Sequence, residues 1–110
     1  MAREPGAVRW SDPGLLILGS LAAEPRHGYA IVGDVEATTG VTLGPGTLYG
    51  ALARLEEHGL VRALPGDERR RPYEITAAGA ALLAEQLASM SRFTRAGRAR
   101  LQQRTAGGAA

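Results

Sequence analysis

The segment from Leu43 to Val61 constrains the fold more than any other part of the chain, because it carries a helix start, one amphipathic helix, a helix stop and a strand in succession. Pro45 suits the first turn of a helix, where its missing N–H would be unsatisfied in any case. Apolar residues at i, i+4 and i+7 predict one buried stripe: Leu48, Leu52 and Leu55. Gly59 ends the helix, and residues 60–64 predict a strand.

A second short strand, predicted over residues 71–75, makes this segment the first half of a β-hairpin. Pro65-Gly-Asp-Glu68 forms the turn, and three arginines, Arg69 to Arg71, follow it. Pro72 indicates an edge strand. A helix followed by a basic hairpin is the layout of a winged helix-turn-helix, so the first hypothesis is DNA binding. The alternative is an amphipathic core helix followed by a solvated charge run that the two preceding acids soften.

Two helices are predicted before this segment. Asp12 can cap the first helix and Pro13 suits its first turn; Glu24-Pro25 ends it. This helix is apolar almost all round, so it must be buried on more than one side, by its own domain and by a second subunit. The second helix is predicted from about His27 to Thr39. Its inward face is Tyr29, Ile31, Val32 and Val35.

Thr76 is the predicted N-cap of a last helix over residues 77–104. Leu83, Leu87 and Met90 recur on it at i, i+4 and i+7, and little of a small domain is left to cover them. The stripe therefore predicts dimerisation; the alternative is that the helix folds back on its own domain. Gly97 is expected to weaken or end the apolar seam. From residue 86 onward there are five arginines and no acid, expected to be solvated and frayed.

These elements predict one mainly α domain with a small β-hairpin: a winged helix-turn-helix in the order α1-α2-α3-β-β-α4, plus a C-terminal dimerisation helix. The predicted boundaries are a flexible N-terminal arm over 1–10, the winged helix over 11–76, the dimerisation helix over 77–104 and a disordered tail over 105–110.

Several functional classes find no support in the residues. The chain has no cysteine, and its two histidines have no metal-ligand spacing, so neither a metal nor a cofactor is expected. No serine lies in a nucleophile motif, and Gly44-Pro-Gly46 lacks the lysine and spacing of a phosphate-binding loop, so no enzyme is expected. No apolar run approaches about 18 residues, and the start lacks the apolar core of a signal peptide. A cytoplasmic protein is expected, without a membrane partner.

The charge of the chain is weak evidence by itself. The formal net charge is +2, and all thirteen basic residues are arginine. Together with the many alanines and glycines, this bias is typical of GC-rich coding. Arginine suits phosphate binding, but its enrichment here does not demonstrate it.

Candidate contacts with double-stranded DNA lie on the third helix, on the hairpin and at the start of the second helix. Hydroxyls and guanidinium groups can reach bases or phosphates, small residues let the backbone approach, and a helix N-terminus binds anions. The candidates are His27, Tyr29, Gly46, Thr47, Tyr49, Gly50, Arg54, Arg69, Arg70 and Arg71. At the second helix, the alternative is that Gly28 permits a turn and Tyr29 packs in the core.

Two further sets belong to the subunit interface. The candidates for a homodimer contact are Leu15, Leu16, Leu18, Leu83, Leu87 and Met90. The candidates for a small aromatic or drug-like effector are Trp10, Met90 and Phe93. The alternative for Trp10, which stands just before a helix, is that it covers a core edge.

Five motifs follow one another over roughly residues 13–90: Leu15-Leu-Ile-Leu-Gly19, Arg26-His-Gly-Tyr29, Gly44-Pro-Gly-Thr-Leu-Tyr49, Leu52-Ala-Arg-Leu-Glu-Glu-His-Gly-Leu-Val61 and Arg71-Pro-Tyr-Glu-Ile-Thr-Ala-Ala-Gly79. Together they resemble the PadR family of transcriptional regulators, in its short form with a single C-terminal helix. The resemblance implies a homodimeric repressor that joins through its last helix, and usually its first. It implies that each third helix reads half of a palindromic operator and that a planar ligand releases the DNA in some relatives.

The resemblance also carries residue roles and shows departures. By position, Thr47 and Tyr49 meet DNA, Tyr29 lies near a phosphate, and Arg69 to Arg71 form the wing. Gly44 stands where the family commonly has serine, and Gly50 where a larger residue is common. Phe93 is the only aromatic residue of the last helix. Gly44 and Gly50 motivate the alternative function, a dimeric winged-helix module that binds protein or ligand and has little DNA affinity.

Overall fold

The structure, a computed structural model, describes residues 12–67 and 70–107. Its elements are α1 (Pro13–Ser20), α2 (Gly28–Thr39), α3 (Pro45–Glu57), β1 (Val61–Ala63), β2 (Tyr73–Ile75) and α4 (Ala77–Ala106). The predicted fold class and element order are confirmed. The predicted arm over 1–10, with Trp10, and Arg69 of the wing lie outside the described residues.

Helix α1 begins as predicted but ends earlier. The Asp12 carboxylate accepts a hydrogen bond from the Gly14 N–H at 3.1 Å, with Pro13 in the first turn. The helix stops at Ser20 instead of continuing to Glu24-Pro25. Arg26 Nε donates to the Ser20 carbonyl at 2.9 Å, so a side chain satisfies that acceptor in place of a further helical turn.

The connection between α2 and α3 depends on Gly40. This residue has a φ of 78°, in the left-handed region that favours glycine, and its N–H donates to the Glu36 carbonyl at 2.8 Å. Thr39 Oγ1 accepts from the Val41 N–H at 3.1 Å just beyond it. The turn therefore brings α3 back across α2 within a few residues.

The core lies between the first three helices and the hairpin. Six large side chains are almost completely buried there: Ile17, Leu18, Leu21, Ile31, Leu52 and Val61. Leu83 of α4 joins the same cluster. Burying a side chain of this kind contributes roughly 1.5–3 kcal/mol relative to leaving it exposed, so this cluster fixes the angle at which α3 is held.

The hairpin is shorter than predicted and gains a third segment. Val61 pairs with Ile75, and Ala63 with Tyr73, in an antiparallel ladder. Arg26 exchanges two backbone hydrogen bonds with Tyr73, at 3.1 and 2.9 Å, and so extends the sheet on the side facing α2. The sequence pattern did not predict this pairing, because Arg26 lies far from the hairpin along the chain.

Helix α4 starts where the hairpin ends. Thr76 Oγ1 accepts from the Gly79 N–H at 3.1 Å and donates to the Gly59 carbonyl at 2.6 Å, so one hydroxyl ties the end of α3 to the start of α4. A Cβ atom on Gly79 would collide with the Leu60 carbonyl oxygen, which makes glycine necessary at this contact. Thr76 acts as the N-cap, as predicted.

The far half of α4 extends beyond the rest of the molecule's core. The helix has 30 residues and continues through Gly97 to Ala106, two residues past the predicted end at 104, so the first residues of the predicted tail over 105–110 are helical. Residues 108–110 lie outside the described residues. Within the described ranges, no helix has the length and apolarity that a membrane crossing requires.

Candidate nucleic-acid interface

Helix α3 presents one face to the core and the other to solvent. Its stripe is buried, with Leu48, Leu52 and Leu55 exposed by only 2%, 1% and 8%. The opposite face exposes five of the predicted contact residues: Gly46, Thr47, Tyr49, Gly50 and Arg54. The helix is thus anchored from behind and accessible in front, as a recognition helix must be.

The first two turns of α3 have a bare backbone. Gly44 is the N-cap residue and supplies no side-chain cap, although its carbonyl accepts from the Leu48 N–H at 2.9 Å. In the part of the chain that the structure describes, no atom apart from neighbours in the chain lies within 4 Å of a Cβ built on Gly44 or Gly46. At Gly50 a Cβ would lie 4.0 Å from a terminal nitrogen of Arg54. A large ligand can therefore approach this backbone closely.

Tyr29 lies on the outside of α2, so the prediction of an inward-facing Tyr29 is wrong. Its side chain is 86% exposed, whereas Gly28, Ile31 and Val35 form the buried face of the helix. The reason is the close contact of α2 with α3 at Gly28, which turns the next residue outward. The same exposure keeps Tyr29 available to a phosphate or a base.

Gly28 and Tyr49 hold the N-terminal ends of α2 and α3 together. A Cβ on Gly28 would come within 2.5 Å of the Tyr49 hydroxyl oxygen, so any larger residue would displace the ring. An apolar cleft of about 270 Å³ opens beside this contact, with Tyr29, Pro45 and Tyr49 among its lining residues. Tyr29 and Tyr49 therefore flank one surface feature.

The N-terminus of α2 offers less charge than its sequence indicates. His27 is the N-cap residue and makes no side-chain cap, while its carbonyl accepts from the Ile31 N–H at 3.1 Å. Arg26 is engaged within the subunit, through the Ser20 carbonyl and an ion pair with Glu24 at 3.8 Å. The free backbone N–H groups of the first turn remain the anion-binding feature here.

The tip of the hairpin is basic in the part that the structure describes. Arg70 and Arg71 are exposed, and the Arg70 N–H donates to the carbonyl and to the carboxylate of Asp67, at 3.1 and 3.0 Å. Arg62, which sequence reasoning did not single out, points outward from β1 but forms an ion pair with Glu74 across the ladder. The alternation of β1 could have revealed Arg62, and the register shows that its charge is compensated.

Tyr73 connects the hairpin to α3. Burial raises the pKa of Tyr73 above its ordinary value of 10.0, the carboxylate of Glu56 and the nearby Tyr49 raise it further, and Arg71 opposes them. The side chains of α3 and of the return strand therefore lie within electrostatic reach of one another.

A separate apolar groove lies between α1, α2 and α4. Its volume is about 430 Å³, and Leu15, Leu16, Leu87 and Met90 are among its lining residues. Leu83 also lines the groove, but it is 7% exposed and lies in the subunit's own core, as does Leu18 at 1%. Of the predicted effector residues, Met90 lines the groove, whereas Phe93 is 79% exposed and does not line it.

The described residues contain no group of three or more histidine, aspartate or glutamate side chains that could hold a metal ion. The chemistry of this surface is that of hydroxyls, aromatic rings, guanidinium groups and bare backbone.

Comparisons with known proteins agree with this geometry. The model of the transcriptional regulator PadR-like family matches residues 17–85. A PadR family transcription regulator from Clostridium difficile R20291 superposes with a TM-score of 0.70 at 24% identity, covering 81% of this chain and 97% of that one. A transcriptional regulator from Clostridium thermocellum gives a TM-score of 0.67 at 27% identity, covering 77% and 88%.

One curated relative is considerably longer. It is an uncharacterised 37.1 kDa protein of transposon TN4556 from Streptomyces fradiae, 48% identical over 87 residues. The match covers 79% of this chain but 25% of the relative, so this chain spans about a quarter of that protein's length.

Proposed function

Because the chain belongs to the PadR-like family of transcriptional regulators, which are DNA-binding regulators and not enzymes, we propose that it represses transcription as a homodimer on a palindromic operator. In this proposal the α3 helices of the two subunits enter successive major grooves about 34 Å apart, one duplex turn. The exposed arginines of the hairpin tip lie along the neighbouring backbone.

The observation that carries the proposal is the solvent-exposed face of α3. Thr47, Tyr49 and Arg54 project from a helix whose opposite side is locked in the core. Arg70 and Arg71 lie at the adjoining hairpin tip, and Tyr29 lies at the adjoining end of α2. A polyanion that fills the space in front of α3 would meet cationic, hydroxyl and N–H groups together.

The proposed dimer contact is supported by the apolar surface of α4. Leu87 is 51% exposed and Leu101 is 62% exposed, and both continue the stripe that begins at Leu83. Leu87 adjoins the apolar groove lined by Leu15, Leu16 and Met90, and contiguous exposed apolar surface of this kind marks interaction sites. A second α4 laid against this stripe and against Leu15 and Leu16 of α1 would cover them.

Release by a small planar effector is a further part of the proposal, and the groove beside Met90 supports it. The groove is large enough for one aromatic molecule, and pockets for such ligands are mainly apolar. A screen of planar aromatic compounds, read as loss of the protein–DNA band, tests this part. A compound that binds the protein and leaves the band unchanged would contradict it.

The deciding experiment is an electrophoretic shift assay on the DNA upstream of the protein's own coding sequence, at two salt concentrations. Binding is expected at low salt and should fall steeply as salt rises, because each neutralised phosphate releases counterions and contributes about 0.9 to the logarithmic slope. Absence of binding at low salt would contradict the proposal.

Two double variants separate a role of the wing from general positive charge. Arg70→Ala with Arg71→Ala should reduce the salt slope by about 0.9 for each phosphate that these two side chains neutralise. Arg98→Ala with Arg100→Ala removes the same charge from the exposed far half of α4 and should leave the slope unchanged. If no duplex is ever bound but a protein or ligand partner is, the chain is instead the winged-helix interaction module that Gly44 and Gly50 suggest.

A further inference from the structure

The first turns of α3, before Arg54, lack the side chains that usually read bases. From Leu43 to Ala53 there is no charged residue and no amide. Guanine is commonly read by arginine or lysine, adenine by asparagine or glutamine, and cytosine by an acid. The first turns of α3 therefore have no group for any of these bidentate or charged contacts, and only the hydroxyls of Thr47 and Tyr49 can form side-chain hydrogen bonds.

What this face does present is apolar. The Tyr29 ring is 86% exposed and the Tyr49 ring 49% exposed, on either side of the cleft of about 270 Å³. Pro45 also lines the cleft, and Thr47 is exposed two residues further along α3. Among the described residues, no charged side chain lines the cleft. The Tyr49 hydroxyl packs close to Gly28, where a Cβ would come within 2.5 Å of its oxygen.

Only one base shows a methyl group in the major groove, and that base is thymine. We infer that this surface selects its site through the 5-methyl groups of thymines, packed against Thr47, Tyr49 and Tyr29. The inference rests on the proposed function, because it assigns to α3 the part of the operator that α3 reads. Specificity then arises from apolar contact with thymine methyl groups, while the hairpin arginines contribute affinity that does not depend on the base sequence.

The test begins with duplexes selected from a random-sequence library by the full chain. Each thymine of the selected site is then replaced singly by deoxyuridine, which removes the methyl group and preserves base pairing. At least one replacement per half-site should weaken binding about fourfold, the factor expected for one buried methyl group. Replacing guanines by 7-deazaguanine, which removes the N7 acceptor, should weaken binding less.

Protein variants assign the methyl contact to a side chain. Thr47→Ser removes one methyl group and keeps the hydroxyl, Tyr29→Ala removes an exposed ring, and Tyr49→Phe removes only a hydroxyl. The deoxyuridine penalty should vanish at one thymine in Thr47→Ser or Tyr29→Ala and should persist in Tyr49→Phe. Gln102→Ala, an exposed change far along α4, should behave as the unmodified protein.

The outcomes distinguish this inference from the function on which it rests. If no duplex is retained at low salt, both fail. If duplexes bind but no deoxyuridine substitution matters, or if 7-deazaguanine costs more than deoxyuridine, the thymine assignment is overturned and DNA binding stands.

Discussion

Helices α3 and α4 carry the same apolar spacing and bury it differently. In α3 the residues at i, i+4 and i+7 are all covered by the subunit itself, the least of them, Leu55, being 8% exposed. In α4 the first residue of the equivalent set, Leu83, is 7% exposed, but Leu87 is 51% exposed. The two helices differ in the elements that pack against them. Helix α3 packs against α1, α2 and β1, whereas α4 leaves the core after its first turns.

An amphipathic stripe thus predicts that one face of a helix is buried, but it does not predict whether the same subunit or another one buries it. For α3 the cover is internal, so its stripe stabilises the subunit. For α4 the cover beyond Leu83 is the proposed second subunit, so its stripe should stabilise an assembly. The following changes separate these two roles.

The largest effect is expected at the centre of the covered stripe. Leu52→Ala should lower the free energy of unfolding by about 2–5 kcal/mol, because it leaves a cavity among side chains that cannot collapse completely. Leu101→Ala removes the same atoms from a 62% exposed site and should change subunit stability by less than about 0.5 kcal/mol. Denaturant titration at a protein concentration low enough to keep the chain monomeric measures both, because dimer contacts would otherwise add to the apparent stability. Equal losses would show that the stripes have the same role.

The start of α4 should behave as core. Gly79→Ala should cost about 1–3 kcal/mol, because the new Cβ overlaps the Leu60 carbonyl and the backbone must shift. Gly97→Ala is the matched change in the same helix, where, apart from neighbours in the chain, no atom of residues 12–67 or 70–107 lies within 4 Å of the new Cβ. It should stabilise by about 0.5–1 kcal/mol through helix propensity. A destabilising Gly97→Ala would instead place a partner's backbone against that turn.

Substitutions in the exposed part of the α4 stripe should weaken the association of two subunits. Leu87→Ser should weaken self-association tenfold or more, since both copies bury less apolar area at a symmetric contact, while the unfolding free energy of the subunit changes by less than about 1 kcal/mol. Ala88→Ser introduces the same hydroxyl one residue away, off the stripe, and should leave association unchanged. Sedimentation equilibrium measures it. An unaltered dimer constant for Leu87→Ser would remove the role assigned to α4.

The smallest effect concerns Tyr73, the hairpin residue beside α3. Its folded pKa is raised above the ordinary 10.0, so the native state holds this proton more tightly than the unfolded chain. The stability contribution is therefore complete below pH 10 and declines as the pH rises through the folded value. Tyr73→Phe should flatten that decline in unfolding titrations between pH 9 and 11. An unchanged decline would show that Tyr73 is not responsible.

Local patterns predicted most of this architecture because they depend on neighbours in the chain. Three helix boundaries lie where single residues predict them. Helix α3 begins at Pro45 and ends just before Gly59, and α4 begins after its N-cap, Thr76. What could not be predicted depends on contacts between distant residues. The early end of α1 follows from Arg26 reaching Ser20, and the outward Tyr29 follows from the Gly28 contact with Tyr49.

The candidate site shows the same division. The exposure of Thr47, Gly50 and Arg54 could be predicted, because the helical spacing of the leucines places these three residues on the opposite face. The compensation of Arg62 by Glu74 requires the strand register, and the placement of Tyr29 and Tyr49 beside one cleft requires the packing of two helices. Neither relation is local in the chain.

The hydroxyl of Thr76 lies at the point where the long last helix is attached to the rest of the subunit. This single group bonds to the last turn before β1, through Gly59, and to the first turn of α4, through Gly79. A helix of 30 residues is about 45 Å long, so a tilt of about 10° at Thr76 moves its far end by about 8 Å. A partner bound at the distal end of α4 would therefore restrict the angle between α4 and the hairpin to a narrow range.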